Sequence, residues 1–166
     1  MFGAARAGYT DRQVRDWIEF MQARDIQRVC CLLSPSQLDR YSDLRGIYQD
    51  NFGSDRICWA PIEDFHIPDP QLLIDRILPF LDLADRSSEK VVVHCSGGVG
   101  RTGAILAAWL VARREFLPKS AIATVKKTGR NPSESIIAAP FFGRNPWQVM
   151  SELDNLLNQC MDFGNI

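Results

Sequence analysis

Cys95 and Arg101 stand six positions apart, joined by Ser96-Gly97-Gly98-Val99-Gly100 and followed by Thr102-Gly103. A continuous apolar run, Lys90 to Val93, precedes them and reads as a buried strand. An apolar segment, Thr102 to Arg114, follows and reads as a helix. A strand, a glycine-rich turn and a helix N-terminus together make an anion site, because free backbone amides and the helix dipole converge there. Gly97, Gly98 and Gly100 allow the left-handed or cramped backbone angles that such a cradle needs. Arg101 adds a planar fork able to hold two oxygens of one anion. A free thiol titrates near 8.5, and a helix N-terminus lowers that value. Cys95 at the floor of an anion cradle is therefore a candidate nucleophile toward a bound phosphorus atom.

Two nucleotide readings compete. Gly98-Val99-Gly100-Arg101-Thr102-Gly103 matches G-x-G-x-x-G, but the acidic residue required about 20 positions on is missing, since a helix lies there. A P-loop needs Gly-Lys-Ser/Thr, and no lysine occurs between Lys90 and Lys119. A buried cysteine beside a tight turn is a third account, and it leaves the glycines and the arginine unexplained.

The surrounding elements must place this loop. Thr10 with Gln13 has the capping-box pattern and opens a helix through Val14, Trp17, Ile18 and Met21 to about Arg24. Ile26 to Leu33 reads as a buried strand. Ser34-Pro35-Ser36-Gln37 starts a second helix, whose apolar stripe continues as Leu38, Tyr41, Leu44, Ile47 and Tyr48. Arg56 to Ala60 reads as another strand, and Pro61 to Pro68 as a loop carrying Glu63, Asp64 and His66. Asp69-Pro70 opens a helix that Pro79 should kink or interrupt. A helix from Pro118 to near Gly129, a long loop from Arg130 to Arg144 and a last helix capped by Asn145 complete the chain. Strands alternating with helices imply an α/β fold, a mainly parallel sheet of about four to five strands covered on both faces. Ligands bind such sheets outside the carboxyl ends of the strands, which is where Cys95 to Arg101 fall.

The 166 residues imply one domain, with 46% apolar and 23% charged residues and a net charge of −1. Nothing in this balance suggests a nucleic-acid or membrane partner, and a soluble, cytoplasmic monomer is expected. Five cysteines, an odd number with Cys30 and Cys31 adjacent, do not form a disulfide framework. Only His66 and His94 could join a metal site, so neither metal nor cofactor is expected.

His94-Cys95-x-x-Gly98-x-x-Arg101-Thr102-Gly103 resembles the signature of the protein tyrosine and dual-specificity phosphatases. Asp16-Trp17, Leu38-Asp39-Arg40-Tyr41 and Pro61-Ile62-Glu63-Asp64 occur in the order expected of that family. The chain is most similar to its compact type, represented by the cyclin-dependent-kinase-associated phosphatase, over about Thr10 to Asn158. The resemblance implies that Cys95 attacks phosphorus and forms a phosphocysteine, while Arg101 and the amides from Ser96 to Arg101 hold the phosphoryl oxygens. It implies that Thr102 hydrogen-bonds the sulfur, that His94 orients the loop from beneath and that Asp64 is the general acid, with Asp69 as second choice. Gln148 would correspond to the glutamine that positions water. Arg130, Asn131 and Arg144 would frame the pocket, and His66 would face the substrate.

The expected substrate is a phosphorylated protein or peptide, phosphotyrosine first, with phosphoserine and phosphothreonine open. The uncharged positions 96–100 disfavour a phosphoinositide. A non-protein phosphoester, such as an RNA end or a small molecule, and a silent phospho-binding module are the alternatives. Cys58, Cys30 and Cys31 are candidate disulfide partners for Cys95 under oxidation.

Overall fold

A computed structural model describes residues 1–163. Four parallel strands, β1 (Phe2–Ala5), β2 (Ile26–Cys31), β3 (Ile57–Trp59) and β4 (Lys90–Cys95), form one sheet in the order β1-β4-β2-β3. The helices are α1 (Asp11–Ala23), α2 (Pro35–Leu38), α3 (Leu44–Phe52), α4 (Pro70–Leu72), α5 (Leu78–Arg86), α6 (Gly100–Arg114), α7 (Pro118–Lys126), α8 (Glu134–Ala138) and α9 (Pro146–Phe163). Among the described residues, no helix is long and apolar enough to cross a membrane.

The period of two along each strand decides what faces where. Cys30, Leu32, Val91, Val93 and Cys95 join the larger core cluster, with Leu78 and Leu81 of α5, Ile105 and Ala108 of α6, and Leu153 and Leu157 of α9. Val29, Cys31 and Val92 alternate to the other face, against Val14 and Ile18 of α1 and Leu44 and Tyr48 of α3. Consequently Cys95 and His94 leave β4 on opposite faces. The helix α6 is buried on nearly every side, between β4 and the outer helices α7 and α9. That burial explains why its sequence shows apolar residues all round rather than a stripe.

Three elements differ from the sequence reading. The helix expected to run from Pro35 through Tyr48 is two helices. Leu38 ends α2, and the Asp43 side chain accepts the Gly46 N–H at 2.9 Å to start α3 afresh. An aspartate in that position offers the backbone a cap that competes with helix continuation. The segment 130–144 is not an open loop, because it folds into α8 and a 3₁₀ turn, Ala139–Phe142. The N-terminal segment forms β1, which carries little β-propensity of its own. It is held by parallel pairing, Phe2 opposite Val92 and Ala5 opposite Cys95.

Pro79 acts as expected, through a wider turn. Residues Leu73–Ile77 form π-type turns, and the Leu78 N–H reaches Leu73 O. The proline has no N–H, and its ring crowds the carbonyl four residues back.

Gly98 is the tightest backbone position. Its φ is +70°, and a Cβ there would meet Ala4 C at 2.4 Å and Ala5 N at 2.5 Å. Gly98→Ala should therefore destabilise the protein by at least about 2 kcal/mol, from left-handed strain plus displacement of β1. At Gly97 an added Cβ meets nothing within 4 Å. Gly97→Ala should stay within about 0.5 kcal/mol of wild type in urea unfolding.

Candidate active site

The carboxyl end of β4 delivers Cys95 to the first turn of α6. Cys95 is 2% exposed, and the Gly98 N–H donates to its Sγ at 3.2 Å. Val99 is the residue before the helix, so the amides that follow it point toward the cradle. The dense packing behind α6 also needs glycine. At Gly100 a Cβ would lie 2.1 Å from Glu134 Oε2, and at Gly103 it would lie 3.0 Å from Pro132 N.

Arg101 is 3% exposed and is the hub of the site. Its Nη1 donates to Ile62 O at 2.8 Å, to Gln37 Oε1 at 2.9 Å and to Leu32 O at 3.5 Å. Its Nη2 lies 2.8 Å from Asp64 Oδ1 in an ion pair that lacks hydrogen-bond alignment. Gln37 Nε2 in turn donates to Asp64 Oδ2 at 3.2 Å. One amide thus links the arginine to the aspartate, while Gln37 Oε1 also accepts the Ser34 N–H at 3.3 Å to cap α2. The sequence assigned Gln37 only that capping role. Its second role follows from α2 starting beside the cradle.

The structure brings Asp64 to Arg101 and leaves Asp69 elsewhere. Asp69 Oδ1 accepts the Leu72 N–H at 3.0 Å and so caps α4. The loop carrying Asp64 is braced from its far side. Phe65 adopts φ 58° and stacks on Phe142 with ring centres 5.3 Å apart, and Arg144 Nη2 donates to Phe65 O. His66 Nδ1 lies 2.9 Å from Asp64 O at the surface, and Glu63 is exposed. The backbone of Asn131 and Pro132 packs against Gly103, one turn into α6.

Arg130 does not frame a pocket. It donates to Thr128 O at 2.8 Å and to Gly3 O, tying its loop to β1. Gln148 is exposed on α9, and its amide donates to Glu152 at 3.2 Å, one turn on. Thr102 is fully buried, and its Oγ1 has no hydrogen-bond partner among the described residues. The bond to the Cys95 sulfur implied by the resemblance is thus not formed in this state.

Beneath the cradle, His94 Nε2 lies 3.1 Å from Tyr48 Oη, which accepts the Trp17 Nε1–H at 3.2 Å. Burial pushes His94 down to about 4, the backbone of Cys95 opposes this, and Arg101 lowers it further. The ring is therefore neutral at pH 7 and is held against Tyr48 beneath the cradle.

The remaining cysteines are buried free thiols. Cys30 and Cys58 face each other across β2 and β3. Donation of its S–H to Cys58, together with burial, raises the Cys30 thiol, and burial pushes Cys31 and Cys160 up to about 12. The strand partner of Cys95 is Ala5, not a cysteine. No three His, Cys, Asp or Glu side chains converge as a metal-binding set among the described residues.

Residues 16–139 match the family described as dual specificity phosphatase, catalytic domain, and the chain belongs to that family. Over 69 residues it is 33% identical to dual specificity protein phosphatase 5 of Rattus norvegicus, covering 42% of this chain and 18% of the relative. Over 89 residues it is 32% identical to dual specificity protein phosphatase OPG106 of Vaccinia virus (strain Western Reserve), covering 53% of this chain and 52% of the relative. The matches thus span between about a fifth and about half of these curated relatives. The fold is shared with kinase associated phosphatase, solved with serine for its catalytic-site cysteine, at TM-score 0.71 and 20% identity, covering 98% of this chain and 85% of that one. It is shared with Tk-PTP in the active form at TM-score 0.65 and 24% identity, covering 92% and 90%.

The neutral His94 predicts a pH-dependent stability. The unfolded ring titrates near 6.5, so the stability held by the neutral buried form is complete above that pH and is lost as pH falls toward 4. Between pH 6.5 and 5 this contributes about 2 kcal/mol. Urea unfolding of wild type should fall by that amount relative to His94→Gln over the same interval.

Proposed function

We propose that this chain is a protein phosphatase that hydrolyses phosphotyrosine, and phosphoserine or phosphothreonine where the pocket admits them, through a phosphocysteine intermediate. The observation that carries this reading is the joining of Cys95, Arg101 and Asp64 at one strand end. The thiol accepts an amide N–H at 3.2 Å, and the guanidinium lies 2.8 Å from the carboxylate.

The phosphoryl group of the substrate takes the place of Asp64 on Arg101 Nη2, which frees the carboxyl group to face the leaving oxygen. The Cys95 thiolate attacks phosphorus, so an S–P bond forms while the P–O bond breaks. Protonated Asp64 donates its proton to the departing oxygen. Amides of the cradle and Arg101 hold the charge that spreads over the equatorial oxygens. Water then attacks phosphorus, Asp64 takes its proton, the S–P bond breaks, and inorganic phosphate leaves with the thiolate restored. Five buried free thiols are consistent with the reducing, cytoplasmic setting that we propose for this chemistry.

A lipid phosphoester is the second substrate class. PTPMT1, solved in complex with PI(5)P, shares the fold at TM-score 0.70 and 13% identity, covering 97% of this chain and 91% of that one. A panel of phosphopeptides beside inositol phospholipids separates the two.

Turnover of an aryl phosphate tests the chemistry. Wild type should be active in the presence of a chelator, and Cys95→Ser should have no detectable rate. Asp64→Asn should lose on the order of a hundredfold or more in kcat, whereas Asp69→Asn should stay within about twofold. Turnover by Cys95→Ser would overturn the mechanism.

Gln37→Ala removes the amide joining Arg101 to Asp64. It should lower kcat/KM by about tenfold and, because Gln37 also caps α2 and accepts from the buried Arg101, lower stability in urea unfolding by about 1 to 2 kcal/mol.

A further inference from the structure

Asp64 sits on a turn whose shape the turn itself does not explain. The four residues Glu63 to His66 close through the His66 N–H, which donates to Glu63 O at 3.1 Å. The third of them, Phe65, holds φ at 58°, in the left-handed region where such turns ordinarily place glycine or asparagine. A bulky side chain keeps that conformation only where its surroundings impose it. The turn has little behind it, since Glu63, Asp64 and His66 are all exposed. Two contacts reach Phe65 from outside. Its ring stacks on Phe142 with centres 5.3 Å apart and planes 28° from parallel, and its carbonyl oxygen accepts from Arg144 Nη2. Among the described residues, no other hydrogen bond reaches the Phe65 backbone.

Both contacts come from one short reversal of the chain. The 3₁₀ turn Ala139–Phe142 ends at Gly143, whose φ is +66°. The Gly143 N–H donates to Pro140 O at 3.2 Å and the Arg144 N–H to Ala139 O at 2.9 Å, the paired bonds of a Schellman ending. That ending fixes Phe142 and Arg144 on either side of the glycine, and the fully buried Ala139 anchors it. The same stretch of chain also lies against the start of α6, with Glu134 over Gly100 and Pro132 against Gly103. Residues 132–144 therefore touch both the helix that carries Arg101 and the turn that carries Asp64. They tie the two to one frame.

We propose that Phe142 and Arg144 are positioning residues for the general acid, holding the Phe65 turn so that Asp64 stays over the cradle after phosphate has displaced it from Arg101. The proposal rests on the phosphatase reading above and assigns residues 139–144 a part in its proton transfer. In the free protein the Asp64 carboxylate is held by Arg101 at 2.8 Å and by Gln37 at 3.2 Å. A bound phosphoryl group takes the arginine for itself, so the charged tether is lost when the acid is needed. The ring stack and the carbonyl bond lie on the far side of the turn and survive that exchange. Proton transfer to a departing oxygen demands a donor within hydrogen-bond reach. A turn relaxed to an ordinary φ would carry the Asp64 carboxyl group away from that oxygen, with thiol, amides and Arg101 left in place. The loss should fall on esters whose leaving group needs a proton and spare those whose leaving group departs as a stable anion.

Kinetics with two esters tests this. Phe142 is 58% exposed, so Phe142→Ala removes the stack without opening the core, and Arg144→Ala removes the bond to the carbonyl. Each should lower kcat/KM by about tenfold for phenyl phosphate and by about threefold or less for 4-nitrophenyl phosphate, with inhibition by inorganic phosphate unchanged. Phe142→Tyr, which keeps the ring, should restore the phenyl phosphate rate. In an Asp64→Asn background neither alanine should cost more than about another twofold, because no proton is left to place. Equal losses on both esters, weaker inhibition by phosphate, or full additivity with Asp64→Asn overturns the proposal. Hydrogen exchange of residues 62–67, measured with saturating inorganic phosphate, reads the turn without turnover. Exchange at the His66 amide should quicken by about tenfold in each alanine variant, and rates equal to wild type overturn the proposal. Absence of wild-type turnover sinks the hydrolase reading, while the exchange comparison still decides whether Phe142 and Arg144 hold the turn.

Discussion

The buried guanidinium of Arg101 is the interaction on which the site depends. A cation 3% exposed requires acceptors on every side, and the fold supplies them from three separate stretches of chain. Leu32 O comes from the end of β2, Ile62 O from the loop after β3, and Gln37 Oε1 from the start of α2. These bonds fix where three segments meet above β4. The same geometry brings Asp64 to Nη2. Cradle and Asp64 are therefore positioned by one charge, the carboxylate on Nη2 and the three other acceptors on Nη1.

The two faces of the sheet divide the remaining work. Period-two alternation along β4 sends Cys95 toward α6 and His94 toward α1 and α3. His94 then meets Tyr48 and Trp17 in a buried chain of hydrogen bonds and stays neutral, since burial outweighs its local partners. Strand β1 closes the outer edge of β4 and leaves room for nothing larger than glycine at position 98. The N-terminal segment thus shapes the cradle.

Much of this was legible in the sequence, because the signals were local. Cys95 to Arg101 announced themselves by spacing, and the alternation of strands and helices announced a parallel sheet. Capping patterns at Thr10, Ser34, Asp69 and Asn145 each marked a true helix start. The misreadings arose where distant contacts overrode a local pattern. A continuous apolar stripe from Leu38 to Tyr48 hid the cap at Asp43, and β1 exists because β4 offers it an edge. The segment 130–144 folded because its backbone packs under α6 and its aromatic Phe142 found Phe65.

What the sequence determined by itself is the anion cradle with a thiol at its floor, since a thiol, an arginine and glycines at fixed spacing between strand and helix admit few arrangements. Only the tertiary structure decided which aspartate stands at that cradle. Asp64 and Asp69 lie five residues apart, and capping consumed one while Arg101 drew the other. The place of Gln37 between Arg101 and Asp64 was decided there as well. It depends on contacts across dozens of residues that the packing of the sheet creates and no local pattern encodes.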